Sequence, residues 1–342
     1  MAILVTGGTG YIGSHTVVEL LNLGKDIVIV DNLSNSSEKV LERIAELVDG
    51  DLEEGRLCFY HVDICDESSL EKVIEENTID SVIHFAGLKA VGESVSMPLE
   101  YYENNVYGTL VLLKVLRKYN IKQLVFSSSA TVYGLNNISP LDETLALSTT
   151  NPYGSTKLMI EQILQDVYVS DPEWSIALLR YFNPIGAHIS GRIGENPKGL
   201  PNNIMPFITQ VAVGKREQLN VFGSDYETHD GTGVRDYIHV LDLAEGHIKA
   251  LDFISNRKGV EAINLGTGVG VSVFDLINAF EKATGIKIKY QCIERRPGDI
   301  AICYSNPSKA ERLLGWKTKY TLEDMCRDSW NWQQKNPNGY DI

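Results

Sequence analysis

Through the first half of the chain, short runs of β-branched and aliphatic residues alternate with longer stretches of mixed polarity. Residues 2–5, 27–30, 57–60, 81–84, 124–127 and 176–179 read as strands, with amphipathic helices filling the gaps. A run such as Ile27-Val28-Ile29-Val30 is apolar at every position, so it needs cover on both faces. Parallel strands sandwiched between helices have that cover, and the pattern predicts a doubly wound α/β fold. From Asn183 onward Pro184, Gly186, Gly191, Gly194, Pro197, Gly199 and Pro201 break the alternation. The expected organisation is therefore one unit over 1–182 and a smaller α/β lobe over 183–342, some of whose segments return to the first unit. Helix-like segments at 274–283 and 307–314 belong to this later part.

Composition narrows the function classes. The chain has 342 residues, 43% of them apolar, enough for a large core and too many for a disordered chain. Its 31 Lys and Arg against 45 Asp and Glu give a formal charge of −14, which repels nucleic acid and anionic membrane at long range. A local basic pocket for an anionic ligand remains compatible with that balance. The start, Met1-Ala2-Ile3-Leu4-Val5, lacks a basic segment and meets Thr6-Gly7-Gly8 too early for a signal sequence, and no apolar run reaches spanning length. A soluble, cytoplasmic protein is expected. Cys58, Cys65, Cys292, Cys303 and Cys326 show no C-x-x-C spacing, and the histidines show no H-E-x-x-H, so reduced thiols and no metal centre are expected.

The chemistry begins at Thr6-Gly7-Gly8-Thr9-Gly10-Tyr11-Ile12-Gly13, which follows the first strand and opens a helix with Val17, Val18, Leu20 and Leu21 on its apolar positions. The G-x-x-G-x-x-G spacing of Gly7, Gly10 and Gly13 lets backbone approach a diphosphate at a helix N-terminus, where free N–H groups and the dipole meet the anion. An ordinary tight turn would use the same glycines. Asp31, ending the second strand, adds a carboxylate able to accept from both hydroxyls of a ribose and to repel a 2′-phosphate, which favours NAD over NADP. Asp63, with Ile64, closes the third strand, either beside the adenine edge or as a helix N-cap. Phe85-Ala86-Gly87-Leu88-Lys89 places small residues where backbone passes a cofactor, with Lys89 a site residue or a surface charge. Tyr153 and Lys157 lie four apart just after Pro152, so they share one helical face. The Lys157 ammonium and an oxidised nicotinamide would stabilise the Tyr153 phenolate, making it a general base. Ser129, in Ser127-Ser128-Ser129, is placed to bond the same substrate hydroxyl, or to satisfy loop backbone.

Glycine turn, Asp31, Ser129 and the Tyr153/Lys157 pair, in this order, resemble the extended short-chain dehydrogenase/reductase family. Six further stretches (FSSSATVYG from Phe126, NPYGSTK from Asn151, RYFNPIGAH from Arg180, PNNIMPFITQVA from Pro201, GTGVRDYIHV from Gly231 and ERRPGDI from Glu294) resemble the branch that inverts C4 of UDP-hexoses. The resemblance spans essentially the whole chain. It implies a Rossmann-like sheet with a smaller C-terminal α/β substrate lobe, tightly retained NAD, and transient oxidation of UDP-galactose or UDP-glucose to a 4-keto sugar. Ser129, Tyr153 and Lys157 would be catalytic. Tyr11, Ile12, Asn32, Leu33, Ser34, Asn35, Ser36, Asn104 and Phe182 would join the cofactor residues already named. Lys89, Ser129, Tyr153, Asn183, Asn203, Ile204, Asn220, Val221, Phe222, Arg235, Arg296, Asp299 and Cys303 would line the UDP-sugar site, two guanidiniums neutralising the diphosphate.

Two rival readings are sugar-nucleotide dehydratases or decarboxylases of the same family, and a non-catalytic NAD-binding sensor. The dehydratases resemble one another in an acidic residue just after the serine position, where this chain has Ala130 and Thr131. Some epimerases resemble this chain except for a tyrosine at Cys303, and those with a small residue there also accept N-acetylated UDP-hexoses. The small cysteine implies that both substrate pairs are interconverted. Helices around 99–119 and 153–169 resemble the surfaces by which the family forms homodimers.

Overall fold

The computed structural model describes residues 1–50, 52–296 and 299–340. In chain order, the first part runs β1 (Ala2–Thr6), α1 (Tyr11–Asn22), β2 (Asp26–Asp31), α2 (Lys39–Leu47), β3 (Leu57–His61), α3 (Glu67–Glu76) and β4 (Ile79–His84). It continues with α4 (Val91–Ser96), α5 (Pro98–Tyr101), a π-helical turn (Tyr102–Tyr107), α6 (Gly108–Lys118), β5 (Gln123–Ser127), a 3-10 turn (Ala130–Tyr133), α7 (Pro152–Ser170) and β6 (Ser175–Tyr181). Next come β7 (Asn183–Ile185), α8 (Ile204–Ala212), β8 (Leu219–Phe222), β9 (Val234–Arg235), β10 (Tyr237–His239), α9 (Val240–Ser255) and β11 (Gly259–Leu265). The chain ends through β12 (Val271–Ser272), α10 (Val273–Thr284), β13 (Tyr290–Ile293), β14 (Ile302–Cys303), α11 (Ser308–Leu314) and α12 (Leu322–Lys335).

Seven strands in the order β11-β6-β5-β4-β1-β2-β3 form the central sheet, and every pairing in it is parallel. This is the Rossmann-like doubly wound arrangement, reversing at β1 and β4, so the crevice above their carboxyl ends is where such sheets hold ligands. Alternate residues of one strand serve opposite cores. Ile27 and Ile29 join Val17, Leu20 and Ile44 on one side, while Val28 and Val30 join Leu70, Val111 and Leu124 on the other. Each such aliphatic side chain contributes about 1.5–3 kcal/mol on burial, which explains the uninterrupted apolar runs. β11 comes from the C-terminal half yet forms the far edge of this sheet, covered by α7 and α11.

The remaining strands form small sheets. β10 pairs with β7, β13 with β8, and β9 sits between β12 and β14. A separate core of Met205, Ile208, Leu219, Val221, Leu276, Phe280 and Met325 holds α8, α10 and α12 against β8. No helix among the described residues is long and apolar enough to cross a membrane.

Candidate active site

Parallel pairing of β1 with β2 and β4 brings the glycine turn, Asp31 and the Phe85–Lys89 loop to one edge of the sheet. Gly7 has φ +71, and a Cβ there would stand 2.7 Å from the Ala86 nitrogen; a Cβ on Gly13 would stand 2.3 Å from the Gly7 oxygen. Only glycine permits this closeness. Gly10 is the N-cap of α1, with no side-chain cap and no acid in the first turn, so the protein leaves the helix's positive end for an anion. These features fit a dinucleotide diphosphate. Asp31 accepts from the Thr9 N–H (3.1 Å), the Leu33 N–H (2.9 Å) and the Ser36 hydroxyl (3.1 Å), which shapes the loop through Asn32, Leu33, Ser34, Asn35 and Ser36. Leu33 takes φ 57 to make that bend.

Asp63 does not cap a helix: Asp66 caps α3, accepting from the Ser69 N–H. Asp63 instead accepts from the Asn32 amide (2.9 Å) and the Cys65 N–H (2.8 Å). Burial pushes its carboxyl up, but these bonds outweigh that and hold it below the usual carboxylate range. Ile64 is buried against Gly108, whose added Cβ would meet it at 2.7 Å.

Four segments meet around the serine, tyrosine and lysine. Asn151 caps α7 by accepting from the Gly154 N–H at 2.9 Å, and Pro152 stands in the first turn, so Tyr153 and Lys157 occupy the first two turns. Ser129 follows β5 and starts the 3-10 turn, accepting from the Thr131 N–H at 3.2 Å. Lys157 donates to the Ser127 carbonyl at 2.8 Å and lies 6.0 Å from the Tyr153 ring centre. Ser129 and Tyr153 are each 7% exposed and Lys157 is 4% exposed. Behind them Glu161 receives Arg180 at 2.6 Å and the Ser128 hydroxyl at 2.6 Å, anchoring the serine turn.

Burial pushes the Tyr153 phenol well above its ordinary value, Tyr181 adds to the rise, and a hydrogen bond with Ser129 pulls the other way. Burial also draws the Lys157 ammonium down to about 8, against the raising effect of Glu161. The chain by itself therefore keeps the phenol protonated. A base at Tyr153 requires a further positive charge, which an oxidised nicotinamide has.

On the π-helical turn, the Asn104 amide donates to Asn105 Oδ1 at 2.8 Å. Asn105, which sequence reading overlooked, accepts from the Leu88 N–H (2.8 Å) and donates to the Leu88 carbonyl (3.0 Å) and the Thr156 hydroxyl (3.0 Å). It thereby ties the Phe85–Lys89 loop to α7. Gly87 lies between the two, its added Cβ 3.2 Å from Asn105 Oδ1 and 3.8 Å from Lys157 Nζ.

The later residues gather in three groups. Phe182 and Cys303 pack with Val132, Tyr133 and Leu141 beside the 3-10 turn. Arg235 and Cys303 are register partners across β9 and β14. Asp299 lies 3.8 Å from Arg235 and 2.9 Å from Arg296, and the Arg296 guanidinium stands 4.9 Å above the Phe222 ring. Asn220 and Phe222 are exposed while Val221 points into the lobe core, so β8 offers Val221 only through its backbone. Tyr226 and Tyr237 also face the two arginines, whose charges oppose the rise that burial gives each phenol. Asn183 begins β7, its N–H on the Asp236 carbonyl at 3.0 Å. Asn203 and Ile204 start α8, and the Asn203 amide donates to Glu195 at 2.8 Å, as Lys89 does at 3.2 Å. Sequence reading overlooked Glu195 and Tyr226, which carry no motif of their own, and singled out Arg235 but not Tyr237 within GTGVRDYIHV.

His229, Asp230 and Asp275 bring ligand-type atoms within 4.8 Å of one another on the surface. Both carboxylates already serve Ser272, at the cap of α10.

The family described as GDP-mannose 4,6 dehydratase matches residues 4–329. The chain is 61% identical over 340 residues to UDP-glucose 4-epimerase of Bacillus subtilis (strain 168), covering 99% of each. It is 60% identical over 341 residues to that of Pasteurella multocida (strain Pm70), again with 99% of each covered. UDP-glucose 4-epimerase from Bifidobacterium longum, solved in complex with NAD+ and UDP, superposes with a TM-score of 0.95 at 56% identity, covering 99% of this chain and 100% of that one. The Stenotrophomonas maltophila enzyme, solved with NAD and formylated UDP-arabinopyranose, gives 0.94 at 48% identity, covering 98% and 99%. The chain belongs to the extended short-chain dehydrogenases/reductases and, within them, to the UDP-glucose 4-epimerase family.

Proposed function

We propose that this protein interconverts UDP-galactose and UDP-glucose by inversion at C4, and that it also interconverts the N-acetylated pair. The observation that carries the reading is the buried group of Ser129, Tyr153 and Lys157, in a chain 61% identical to a UDP-glucose 4-epimerase. Gly7, Gly10, Gly13 and Asp31 would hold NAD, which when bound would supply an acceptor for the C4 hydride and a donor for its return. Lys157 contributes positive charge, and Ser129 orients the C4 hydroxyl toward Tyr153. Tyr153 takes the hydroxyl proton and later gives one back. Arg235 and Arg296 hold the diphosphate, with Asp299 fixing both guanidiniums. Inversion needs a sugar that turns between the two half-reactions, so the nucleotide is held firmly and the hexose loosely. Retained NAD follows from the same logic, because the cofactor ends each turnover as it began.

Ala130 and Thr131, in place of an acid beside Ser129, argue against a dehydratase. We also assign residues 1–182 to cofactor and catalysis and the later lobe mainly to UDP-sugar, with β11 returned to the central sheet. Five free cysteines support a cytoplasmic setting. A homodimer is supported by Leu99 on α5 and Val95 on α4, 77% and 64% exposed, with Met159 on α7 also exposed and Met97 exposed between α4 and α5; the three helices pack together.

The test is to incubate purified protein, without added NAD, with UDP-galactose and separately with UDP-N-acetylgalactosamine, and to resolve products by chromatography. Conversion of both is expected. Cys303→Tyr, filling the space beside Phe182, should cut conversion of the N-acetylated substrate about ten-fold or more while UDP-galactose still turns over. An unchanged ratio of the two rates would remove Cys303 from selectivity, and no conversion even with NAD supplied would overturn the epimerase reading.

A further inference from the structure

Glu195 joins the two halves of the site. Its Oε1 accepts from Lys89, on the loop after β4, at 3.2 Å, and from the Asn203 amide, at the start of α8, at 2.8 Å. Its backbone is fixed as well: the Trp332 indole donates to the Glu195 carbonyl at 3.1 Å, and the Tyr340 hydroxyl lies 3.3 Å from both the Gly194 N–H and the Gly194 carbonyl. The backbone that carries the carboxylate is thus held from α12 and the C-terminal segment, while Lys89 and Asn203 hold the carboxylate itself. The Glu195 side chain is only 9% exposed.

The other oxygen, Oε2, is fully buried and meets no donor among the described residues. Such an oxygen retains its full desolvation cost unless a ligand or water supplies a donor, and buried carboxylates left in this state are rare. The surroundings limit what that donor can be. Lys89, which Glu195 holds, stands 6.0 Å from the centre of the Tyr11 ring at the glycine turn, so Glu195 lies between that turn and Asn203 at the start of α8. A diphosphate, ionised at neutral pH, has no proton to donate to this oxygen and is repelled by its charge. A sugar hydroxyl has such a proton and no charge, and both ligands of the proposed reaction carry hydroxyls.

We propose that Glu195 is a binding residue whose Oε2 accepts a hydrogen bond from a sugar hydroxyl, on the hexose of the UDP-sugar or on a ribose of NAD. While doing so its Oε1 keeps Lys89 and Asn203 in register with that sugar. This rests on the epimerase reading above and adds to it an acceptor that no motif announced. A carboxylate on a rigid backbone, rather than a flexible surface acid, is what allows one hydroxyl to be recognised in a pocket where the hexose must otherwise turn.

The experiment compares wild type with Glu195→Gln and Glu195→Met, all purified with their retained cofactor. Lys89 and the Asn203 amide are donors, so a glutamine turns its oxygen toward them and presents N–H where Oε2 stood. Methionine keeps the length and offers no strong acceptor. Four quantities are read: KM and kcat for UDP-galactose, the Kd of UDP alone, the fraction of NAD kept after dialysis, and the melting temperature. If the hydroxyl is on the hexose, both variants raise KM for UDP-galactose about ten-fold or more, as expected for a charged hydrogen bond, with the Kd of UDP within about two-fold. If it is on a ribose, NAD is lost on dialysis, and added NAD restores turnover. Unchanged KM and NAD retention would overturn the proposal, as would UDP and UDP-galactose weakening in equal measure with NAD retained, or losses only in a variant with a lowered melting temperature. A wild type that converts no UDP-hexose would refute the activity, a result separate from these.

Discussion

Tyr153, the base of the proposed reaction, lies in surroundings that oppose its ionisation. Burial pushes its phenol up, and burial of Lys157 draws the nearby ammonium down to about 8, so each group resists the charge that proton transfer needs. A site of this kind ionises its tyrosine only when a ligand brings positive charge, which couples base strength to an oxidised cofactor. Tyr153→Phe removes the proton acceptor while keeping the ring among Ala90, Tyr101 and Leu88. It should lower kcat about 10²- to 10⁴-fold with bound NAD and melting temperature retained, as measured by turnover, cofactor absorbance and calorimetry. A kcat within two-fold of wild type would assign the proton transfer elsewhere. This triad and Asp31 are legible in the sequence because their spacing is local to one turn or one strand end. Glu195 is not, because its partners lie 106 and 8 residues away and only the fold brings them together.

At the scale of elements, strands were legible and their ends less so. The apolar run at 27–30 marks β2, yet pairing extends it to Asp26–Asp31, since partners on both sides supply hydrogen bonds beyond the apolar stretch. The helical pattern around 99–119 hides the π-helical turn at Tyr102–Tyr107, which adds a residue to the turn without disturbing composition. That turn sets Asn104 and Asn105 beside the Leu88 loop and α7, a placement no periodicity argument supplies. The N-cap of α7 was similarly silent, although Asn151 stands two residues before the proposed catalytic tyrosine. Asn151→Ala leaves the Gly154 N–H without its cap, two residues from the position that Pro152 fixes. It should cost about 1 kcal/mol of stability, read by chemical denaturation. A larger proportional fall in kcat than in substrate affinity is expected, because the first turn carries Tyr153. Equal loss in both would mean that the cap supports the fold alone.

For the molecule as a whole, β1, β2, β4, β5 and β6 were readable because most of their length is buried between two helical layers, and β3, a partly buried edge strand, because its residues are largely aliphatic and aromatic. The C-terminal strands were not, being two to four residues long in β8, β9, β10, β12, β13 and β14, too short to show a period. β11 escaped notice for another reason: Gly259, Glu261 and Asn264 interrupt its apolar run, as an edge strand allows. The same deep burial that made the sheet legible also traps imidazoles. His84, between the Thr6 and Thr109 hydroxyls, and His15, on the Tyr11 carbonyl, are drawn by burial to about 3, and His247, on the Leu243 carbonyl, to about 4. In the unfolded chain they take protons near pH ~6.5. Their folded-state values are depressed, so the unfolded state binds more protons from about pH 6.5 downward, and stability falls as pH falls until the folded values are reached. Each histidine contributes a slope of up to about 1.4 kcal/mol per pH unit in that window. Glu19 and Asp242, whose carboxyls burial pushes up, act in the opposite direction at the acid end. Urea denaturation at pH 7, 6 and 5 should therefore show decreasing stability, and His247→Phe, a hydrophobic ring against Phe85, should flatten the slope. Equal stability at pH 7 and pH 5 would mean that these imidazoles gain protons without unfolding, and that the helices around them open more readily than their packing implies.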